Sequence, residues 1–234
     1  MLKTSVTTLF AMLMCHSVFA SSPSPEGLIG GVGLDRTRIV MENGEKTSVF
    51  GVVNSMPNTI AVMSWVSDAE GKPAEAFAVS PSVYQLGAGK TGKGTIRLLS
   101  ELPQDRESVF YLVVNTSEAG NTEKHHMKVA VGHRIKLFYR PDGLKGDTKF
   151  AAERLVWSVK RNELTVKNPT PFSVSISEVF DKQKQLKLAD IVLPFSELSW
   201  SIDSSKLDFK SIKSFTFVDE FGGFVEVPLK LGTS

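Results

Sequence analysis

The stretch HHMKVAVGHRIKLFYRP, from His125 to Pro141, decides how the rest of the chain is interpreted. Its first half has apolar side chains at Met127, Val129 and Val131, each separated from the next by one residue. This two-residue period predicts a β-strand with one apolar face. Lys136 follows five residues after the last of them, so a cation ends the apolar row on the same extended segment.

Two interpretations of this strand are open on spacing alone. An alternating strand followed by a lysine is typical of an ordinary β-sandwich, in which the apolar row faces the protein's own core. The pattern is also typical of a strand that adds itself to the open edge of another protein's sheet, where backbone hydrogen bonds supply affinity and alternate side chains fill pockets. In that case the lysine has a role, because a cation that binds a partner's terminal carboxylate would fix the register.

The amino terminus has the pattern of a secretory signal. Residues 1–20 contain Lys3, an interrupted apolar run, and the small residue Ala20 before Ser21, which is typical of a cleavage site. We therefore expect an exported protein. Cys15 is the only cysteine and lies inside this signal, so the mature protein should have no thiol and no disulfide. No other stretch approaches the apolar length of a membrane span, and we expect no membrane insertion.

Charge and length narrow the class of protein further. The chain has 234 residues and a formal net charge of +2, which is too close to balance to favour nucleic acid as a partner. Short β-branched and aromatic runs alternate with turn signals along the mature chain, and no run has helical periodicity over three turns. This pattern predicts an all-β fold of two immunoglobulin-like sandwiches of about 100 residues each.

A change in composition marks the boundary between the predicted domains. After Tyr139 the alternation gives way to Pro, Gly and charged residues over residues 140–147. We therefore predict one domain at residues 21–143, with its binding strand at residues 125–137, and a second domain at residues 148–232.

Two glycine-containing stretches are predicted to be hairpin connections. Asn43-Gly44 is a pair that favours a tight hairpin turn. The stretch GAGKTGKG, Gly87 to Gly94, satisfies GxGxxG and nearly satisfies a phosphate loop. However, a glycine stands where a Ser or Thr hydroxyl is needed, and the alternating TIRLL follows where a helix should begin. We therefore predict a glycine-rich hairpin here and no nucleotide site.

No set of residues singles out catalysis or metal binding. The chain has no GxSxG or HExxH motif, and its cysteine belongs to the signal. His125 and His126 are adjacent, so on a strand they would point to opposite faces and could not both bind one metal. No pair of carboxylates stands out for acid-base chemistry either, and we expect no enzyme activity, no metal and no cofactor.

Four separated motifs carry a resemblance to a known family. They are LDRTR at 34–38, LPQDRES at 102–108, IKLFYRP at 135–141 and NPTPF at 168–172. In these motifs the chain resembles the PapD-like periplasmic pilus chaperones of the chaperone-usher pathway. The resemblance implies a periplasmic protein whose two immunoglobulin-like domains are joined at an angle, in a boomerang shape.

The resemblance also implies an anchor for a bound protein. Arg38, the second arginine of LDRTR, and Lys136 would bind the terminal carboxylate of a pilus subunit in the cleft between the domains. Two charge-assisted hydrogen bonds to one partly shielded carboxylate would contribute about 1.5 to 3 kcal/mol each.

An interdomain ionic cluster is the second implied feature, and it would hold the two sandwiches at a fixed angle. It maps to Glu107, Arg140 and an acid in VDEFGG. Glu220 occupies the usual position of that acid and Asp219 stands beside it. The sequence leaves open which of the two pairs with Arg140.

The implied function is capture of pilus or fimbrial subunits by donor-strand complementation through Met127, Val129 and Val131, followed by delivery to an outer-membrane usher. No cofactor is needed, since folding of the subunit supplies the energy. Whether the free chaperone pairs with itself is left open. The alternative is a secreted two-domain adhesion or scaffolding module whose alternating strand is part of the core. An exported enzyme on a β-sandwich is a third hypothesis, which metal in the purified protein would favour.

Overall fold

Two β-sandwiches form the described part of the chain. The structure, a computed structural model, describes residues 31–119, 130–180, 185–201 and 211–231. Within these ranges the chain forms sixteen strands and one short helix, α1 (Thr148–Ala152). No helix there has the length and hydropathy needed to cross a bilayer. The predicted all-β fold of two sandwiches is confirmed.

The first sandwich is built from two sheets. Its strands are β1 (Val32–Leu34), β2 (Arg38–Met41), β3 (Thr47–Asn54), β4 (Ile60–Ser67), β5 (Phe77–Ser80), β6 (Val83–Leu86), β7 (Thr91–Leu98), β8 (Ser108–Glu118) and β9 (Val131–Tyr139). One sheet has the strand order β1-β3-β7-β5 and the other has the order β2-β9-β8-β4-β6. Neighbouring strands are antiparallel except β2 and β9, which run parallel.

The second sandwich follows α1 and has two smaller sheets. Its strands are β10 (Val156–Lys160), β11 (Glu163–Lys167), β12 (Val174–Phe180), β13 (Gln185–Val192), β14 (Glu197–Ser201), β15 (Ser214–Val218) and β16 (Phe224–Pro228). The sheet orders are β10-β11-β14 and β13-β12-β15-β16. The connection between the sandwiches lies between Tyr139 and Thr148. The predicted domain limits at residues 21–143 and 148–232 stay a prediction.

Each sandwich has its own hydrophobic core between its sheets. In β11, Leu164 and Val166 are buried, whereas the strand ends Glu163 and Lys167 are exposed, which is the two-residue period expected of a strand with one buried face. Trp157 is fully buried in the same core. Large apolar side chains buried in this way contribute about 1.5 to 3 kcal/mol each, so each sandwich can be stable without a disulfide.

The turn at Asn43-Gly44 is tight, but it does not form the predicted hairpin. Asn43 and Gly44 have φ angles of 52° and 70°, and the N–H of Glu45 donates to the carbonyl of Glu42 at 2.9 Å. The strands on either side, β2 and β3, belong to different sheets. The hairpin prediction was wrong because an Asn-Gly pair determines the shape of a turn and does not determine whether the flanking strands pair.

The hairpin predicted at Gly87 to Gly94 is also wrong. The segment leads from β6 to β7, which lie in different sheets, and its last residues are already part of β7. A side chain at Gly94 would overlap the ring of Phe50, and one at Gly92 would lie 2.8 Å from the ring of Tyr84. These two glycines therefore allow aromatic rings to pack on the strand, which explains the glycine spacing without a phosphate site.

A buried asparagine supports a turn at the end of β3. Asn54 is fully buried. Its Nδ2 donates to the carbonyls of Asn58, Leu86 and Gly87 at 2.9, 3.1 and 3.0 Å, and its Oδ1 accepts from the N–H of Met56 at 3.0 Å. One side chain thus satisfies four backbone groups and joins the β3–β4 turn to the end of β6.

Asn168 repeats this arrangement in the second sandwich. It is fully buried, and its Nδ2 donates to the carbonyls of Phe172, Val192 and Leu193 at 2.7, 3.3 and 3.0 Å. Its Oδ1 accepts from the N–H of Thr170 at 3.0 Å. The two sandwiches share the same pattern of hydrogen bonds. In each, the asparagine Nδ2 donates to the carbonyl four residues further on and to two successive carbonyls of a distant segment, and Oδ1 accepts from the N–H two residues further on.

We predict that Asn168→Asp lowers the free energy of unfolding by about 3 kcal/mol, because a carboxylate cannot donate to three buried carbonyls. Urea unfolding of the purified protein measures this loss. Asn162→Asp is the matched control, since Asn162 is exposed in the turn between β10 and β11, and it should change stability by less than about 0.5 kcal/mol. Equal urea midpoints for the two variants would contradict the prediction.

Candidate functional site

Arg38 and Lys136 lie directly opposite each other on β2 and β9. Because they are partners in the register of two adjacent strands, their side chains leave the same face of the sheet. Both are half-buried. The pair stands at the first residue of β2, so it marks the point at which the β2–β9 pairing begins.

The second sandwich holds both cations by hydrogen bonds. Arg38 Nη1 donates to the carbonyl of Val218, the last residue of β15, at 2.9 Å. Lys136 Nζ donates to Ser175 Oγ on β12 at 3.1 Å. The two side chains therefore lie at the junction of the domains, where neither domain alone would fix both of them.

Nearby acids compensate only part of the positive charge of Arg38 and Lys136. Burial lowers the pKa of Lys136, and the Arg38 guanidinium lowers it further, while Asp190 acts in the opposite direction. Burial also lowers the pKa of Arg38, against the charges of Asp219 and Glu220. An anion placed between the two cations would offset the desolvation of both.

Part of the hydrogen-bonding capacity of the pair is unused. Arg38 Nε is buried and has no hydrogen-bond partner among the described residues. In the same part of the chain, no carboxylate lies within salt-bridge distance of Arg38 or Lys136. A carboxylate from another molecule would supply both the charge and the acceptor that are lacking.

The edge of β9 is open before this pair. β2 covers β9 only from Lys136 to Tyr139, whereas residues 131–135 of β9 have β8 as their only strand partner in the described ranges. His133 Nε2 lies 2.9 Å from the carbonyl of Val32, so a side chain connects this segment to β1 without strand pairing. The outer edge of β9 therefore offers backbone N–H and C=O groups to a partner strand.

The predicted apolar row is only partly described. Met127 and Val129 lie outside the described residues, and so does most of the segment 125–130 that precedes β9. Val131 is half-buried and begins β9. It lines a hollow of about 470 Å³ together with Met63.

Arg140 forms the centre of an ionic cluster just after β9. Its Nε donates to Glu107 Oε1 at 2.8 Å, its Nη2 to Glu220 Oε1 at 2.6 Å and its Nη1 to Glu42 Oε1 at 3.2 Å. Glu42 and Glu107 belong to the first sandwich and Glu220 to the turn after β15 in the second. One guanidinium therefore connects the two sandwiches.

Glu107 is the buried carboxylate of this cluster, with a side chain that is 1% exposed. Burial raises its pKa, while Arg140 and the N–H of Ser173 act against that shift. The N–H of Ser173 donates to Glu107 Oε2 at 2.7 Å, and the N–H of Glu107 donates to the carbonyl of Pro171 at 2.9 Å. Glu107 thus contacts the second sandwich through both its side chain and its backbone.

Of the two acids that the sequence left open, Glu220 contacts Arg140. Asp219 has a different environment, because its Oδ1 accepts from the N–H groups of Phe221 and Gly223 at 2.9 and 2.7 Å. It therefore stabilises the turn between β15 and β16 rather than the contact with Arg140.

Glu42 and Ser175 contact the predicted site residues and were missed in the sequence. Glu42 precedes the Asn43-Gly44 turn, and the N–H of Gly44 donates to the carbonyl of Arg140 at 3.1 Å, which brings Glu42 to the cluster. The sequence indicates a turn at Asn43-Gly44, but it does not indicate that this turn packs against Arg140. No local sequence pattern indicates a role for Ser175, because its contact with Lys136 depends on how the two domains pack against each other.

Family models match both sandwiches. The model described as "Pili and flagellar-assembly chaperone, PapD N-terminal domain" matches residues 31–145. The model described as "Pili assembly chaperone PapD, C-terminal domain" matches residues 150–228. Together the two matches cover well over half of the chain.

Individual relatives agree with these matches. The probable fimbrial chaperone LpfB of Escherichia coli O157:H7 is 34% identical over 208 residues, which are 87% of this chain and 89% of the relative. The chaperone protein FimC of Escherichia coli K12 is 32% identical over 196 residues, which are 79% of this chain and 80% of FimC.

Solved structures show the same similarity. The Escherichia coli chaperone DraB has a TM-score of 0.76 and 25% identity, and the match covers 87% of this chain and 97% of DraB. A structure of Salmonella enterica SafA pilin in complex with the SafB chaperone has a TM-score of 0.75 and 25% identity, covering 86% of this chain and 95% of the matched chain. The chain therefore belongs to the PapD-like family of pilus assembly chaperones.

Proposed function

We propose that this protein is a periplasmic chaperone that binds pilus or fimbrial subunits by donor-strand complementation. In this proposal the open edge of β9 pairs with a strand of the subunit, and Arg38 and Lys136 bind the subunit's terminal carboxylate. The observation that carries the proposal is that the open edge of β9 ends at two half-buried cations with no carboxylate partner in the described residues.

The strand pairing explains why a chain terminus would be bound. β2 occupies the outer edge of β9 from Lys136 onward, so a strand added along residues 131–135 of β9 cannot continue past Arg38. A strand that runs parallel to β9 and stops there would place its carboxyl-terminal residue beside the two cations. The predicted row of Met127, Val129 and Val131 would extend the same edge in the other direction and supply apolar contacts to the subunit.

Electrostatics support the choice of a carboxylate. Each cation has lost part of its hydration, and each also repels the other. A carboxylate between them would accept charge-assisted hydrogen bonds from both, and such bonds contribute about 1.5 to 3 kcal/mol each. In the alternative of an adhesion or scaffolding module, the two cations would keep their hydrogen bonds to the second sandwich, but the absence of a carboxylate partner in the described residues would have no explanation.

The relatives supply the class of partner. LpfB is named a probable fimbrial chaperone and FimC a chaperone protein, and one solved structure contains the SafA pilin in complex with the SafB chaperone. We extend this to pilus or fimbrial subunits as partners of this protein, with delivery of the bound subunit to an outer-membrane usher. Export would depend on the predicted signal at residues 1–20, which lies outside the described residues.

The ionic cluster would fix the angle between the sandwiches in this mechanism. Arg38 and Lys136 each need one contact from the second sandwich, so a change in the angle would move Val218 and Ser175 away from them. Arg140 connects Glu107 to Glu220 across the same junction. The cluster would therefore keep the anchor assembled before a subunit arrives.

We predict that Arg38→Ala and Lys136→Ala each abolish recovery of a coexpressed pilus subunit, because each removes one of the two bonds to its carboxylate. The measurement is the yield of the 1:1 complex in a pull-down followed by gel filtration. Arg36→Ala is the matched control, since Arg36 is exposed and pairs with its neighbour Asp35, and it should retain full yield. Full yield from both anchor variants would refute the anchor.

We predict that Glu107→Gln lowers the free energy of unfolding by about 3 kcal/mol, because it leaves part of a buried ion pair uncompensated. Glu42→Gln is the matched variant at the exposed side of the same guanidinium, where the carboxylate is 47% exposed, and it should cost less than about 1 kcal/mol. Urea unfolding gives both values, and small-angle X-ray scattering should show a broader range of interdomain angles for Glu107→Gln alone. Equal behaviour of the two variants would show that the buried pair is not the one that holds the angle.

A further inference from the structure

A hollow of about 610 Å³ lies beside the anchor, along the outer edge of β2. Its walls include Arg38 and Ile39 on β2 and Glu220 and Phe221 from the turn after β15. β2 is an edge strand of its sheet, so no other strand of the described chain covers this side. Arg38 therefore lines this hollow and also belongs to the anchor of the proposed function.

Phe221 is an unusually exposed aromatic residue. Its side chain is 93% exposed, the highest value among the exposed large hydrophobic residues of the described chain. The ring therefore contributes little to the core of its own domain. Exposed aromatic residues at a fixed position are typical of contact points with a partner protein, since they bring a large apolar area at low cost in conformational entropy.

The turn that carries Phe221 is held in one conformation. Asp219 Oδ1 accepts from the N–H of Phe221 itself and from that of Gly223. Gly222 has a φ of 90° and packs against Thr37 of the first sandwich, where a side chain would overlap the threonine hydroxyl. The backbone of the turn is thus fixed by these contacts, and Phe221 lines the hollow beside Arg38.

The charges of the hollow are mostly paired within the protein. Arg140 contacts Glu42 and Glu220, and Arg36 contacts Asp35. These pairs lower the attraction for a further charged side chain. Beside these polar groups, the hollow offers a ligand the ring of Phe221 and the half-buried Val40 of β2 as apolar contacts.

We propose that Phe221 binds an aromatic or large aliphatic side chain from one of the last residues of the bound subunit, and so gives the anchor a preference for particular subunit termini. The inference rests on the proposed function, since it requires the terminal carboxylate at Arg38 and Lys136. A strand advances by about 3.3 Å per residue, so only residues close to the carboxylate reach the hollow. The class of partner is thus a protein terminus with a free carboxylate and an apolar side chain next to it.

The experiment measures binding of synthetic peptides to the purified full-length protein by fluorescence anisotropy. The peptides have the alternating sequence of a β-strand and differ only in their last two residues, which are either Leu and Phe or Gly and Ala. Each is made with a free carboxylate and with a terminal amide. Phe221→Ala is compared with Phe224→Ala, because Phe224 is also exposed, at 71%, and does not line the hollow.

We expect Phe221→Ala to weaken binding of the Leu-Phe carboxylate peptide by about five- to tenfold and to leave the Gly-Ala peptide almost unchanged. Phe224→Ala should leave both unchanged. If the carboxylate peptides bind better than the amides but Phe221→Ala has no larger effect than Phe224→Ala, this inference is overturned and the anchor stands. If carboxylate and amide peptides do not differ, the proposed anchor fails and the inference fails with it.

Discussion

The short parallel pairing of β2 with the end of β9 determines the geometry of the proposed binding site. It begins at Arg38 and Lys136 and covers only four residues of β9. The two cations lie side by side because they form the first pair of this register. Residues 131–135 of β9 keep an open edge because β2 does not extend to them. A longer β2 would close the edge, and a register shift by one residue would separate the cations and turn their side chains to opposite faces.

This pairing would not be sufficient within one sandwich. Arg38 and Lys136 each donate a hydrogen bond to the second sandwich, to the carbonyl of Val218 and to Ser175 Oγ. The contacts of Arg140 with acids of both sandwiches act at the same junction. Local strand pairing therefore places the cations, and the domain contact orients them. Asp190, Asp219 and Glu220 offset only part of the cost of desolvating these two like charges, and in the proposed function the carboxylate of the subunit would offset more of it.

The sequence was most informative where a residue pattern reflects local geometry. Alternation predicted the strands and the two sandwiches, and the resemblance to the family directed attention to Arg38, Lys136, Glu107 and Arg140. The two hairpins were predicted wrongly because turn residues such as Asn43-Gly44 do not state which strands pair. The repeated Asn54 and Asn168 arrangements were missed although both sequences have the form N-x-x-P, as NSMP and NPTP. Their equivalence depends on carbonyls that lie 32 and 24 residues further along the chain, and sequence similarity between the halves is too low to reveal it.

Contacts between side chains that are far apart in the sequence were the least predictable part. Glu42 and Ser175 lie far from their partners in sequence, and each is an ordinary polar residue in its local context. The sequence could not distinguish Asp219, which accepts hydrogen bonds from the N–H groups of its own turn, from Glu220, which contacts Arg140. Met127 and Val129 lie outside the described residues, so the apolar row stays a prediction that rests on alternation and on the family.

Hydrogen exchange of the backbone amides of β9 would show whether the open edge of this strand receives a subunit strand. The protein is compared alone and in a complex with a pilus subunit, by nuclear magnetic resonance or by mass spectrometry of short peptides. The account predicts that amides in residues 131–135 that exchange rapidly in the free protein become protected in the complex, while amides of β9 after Lys136, already covered by β2, change little. Protection confined to other surfaces, with residues 131–135 exchanging as fast in the complex as in the free protein, would contradict it.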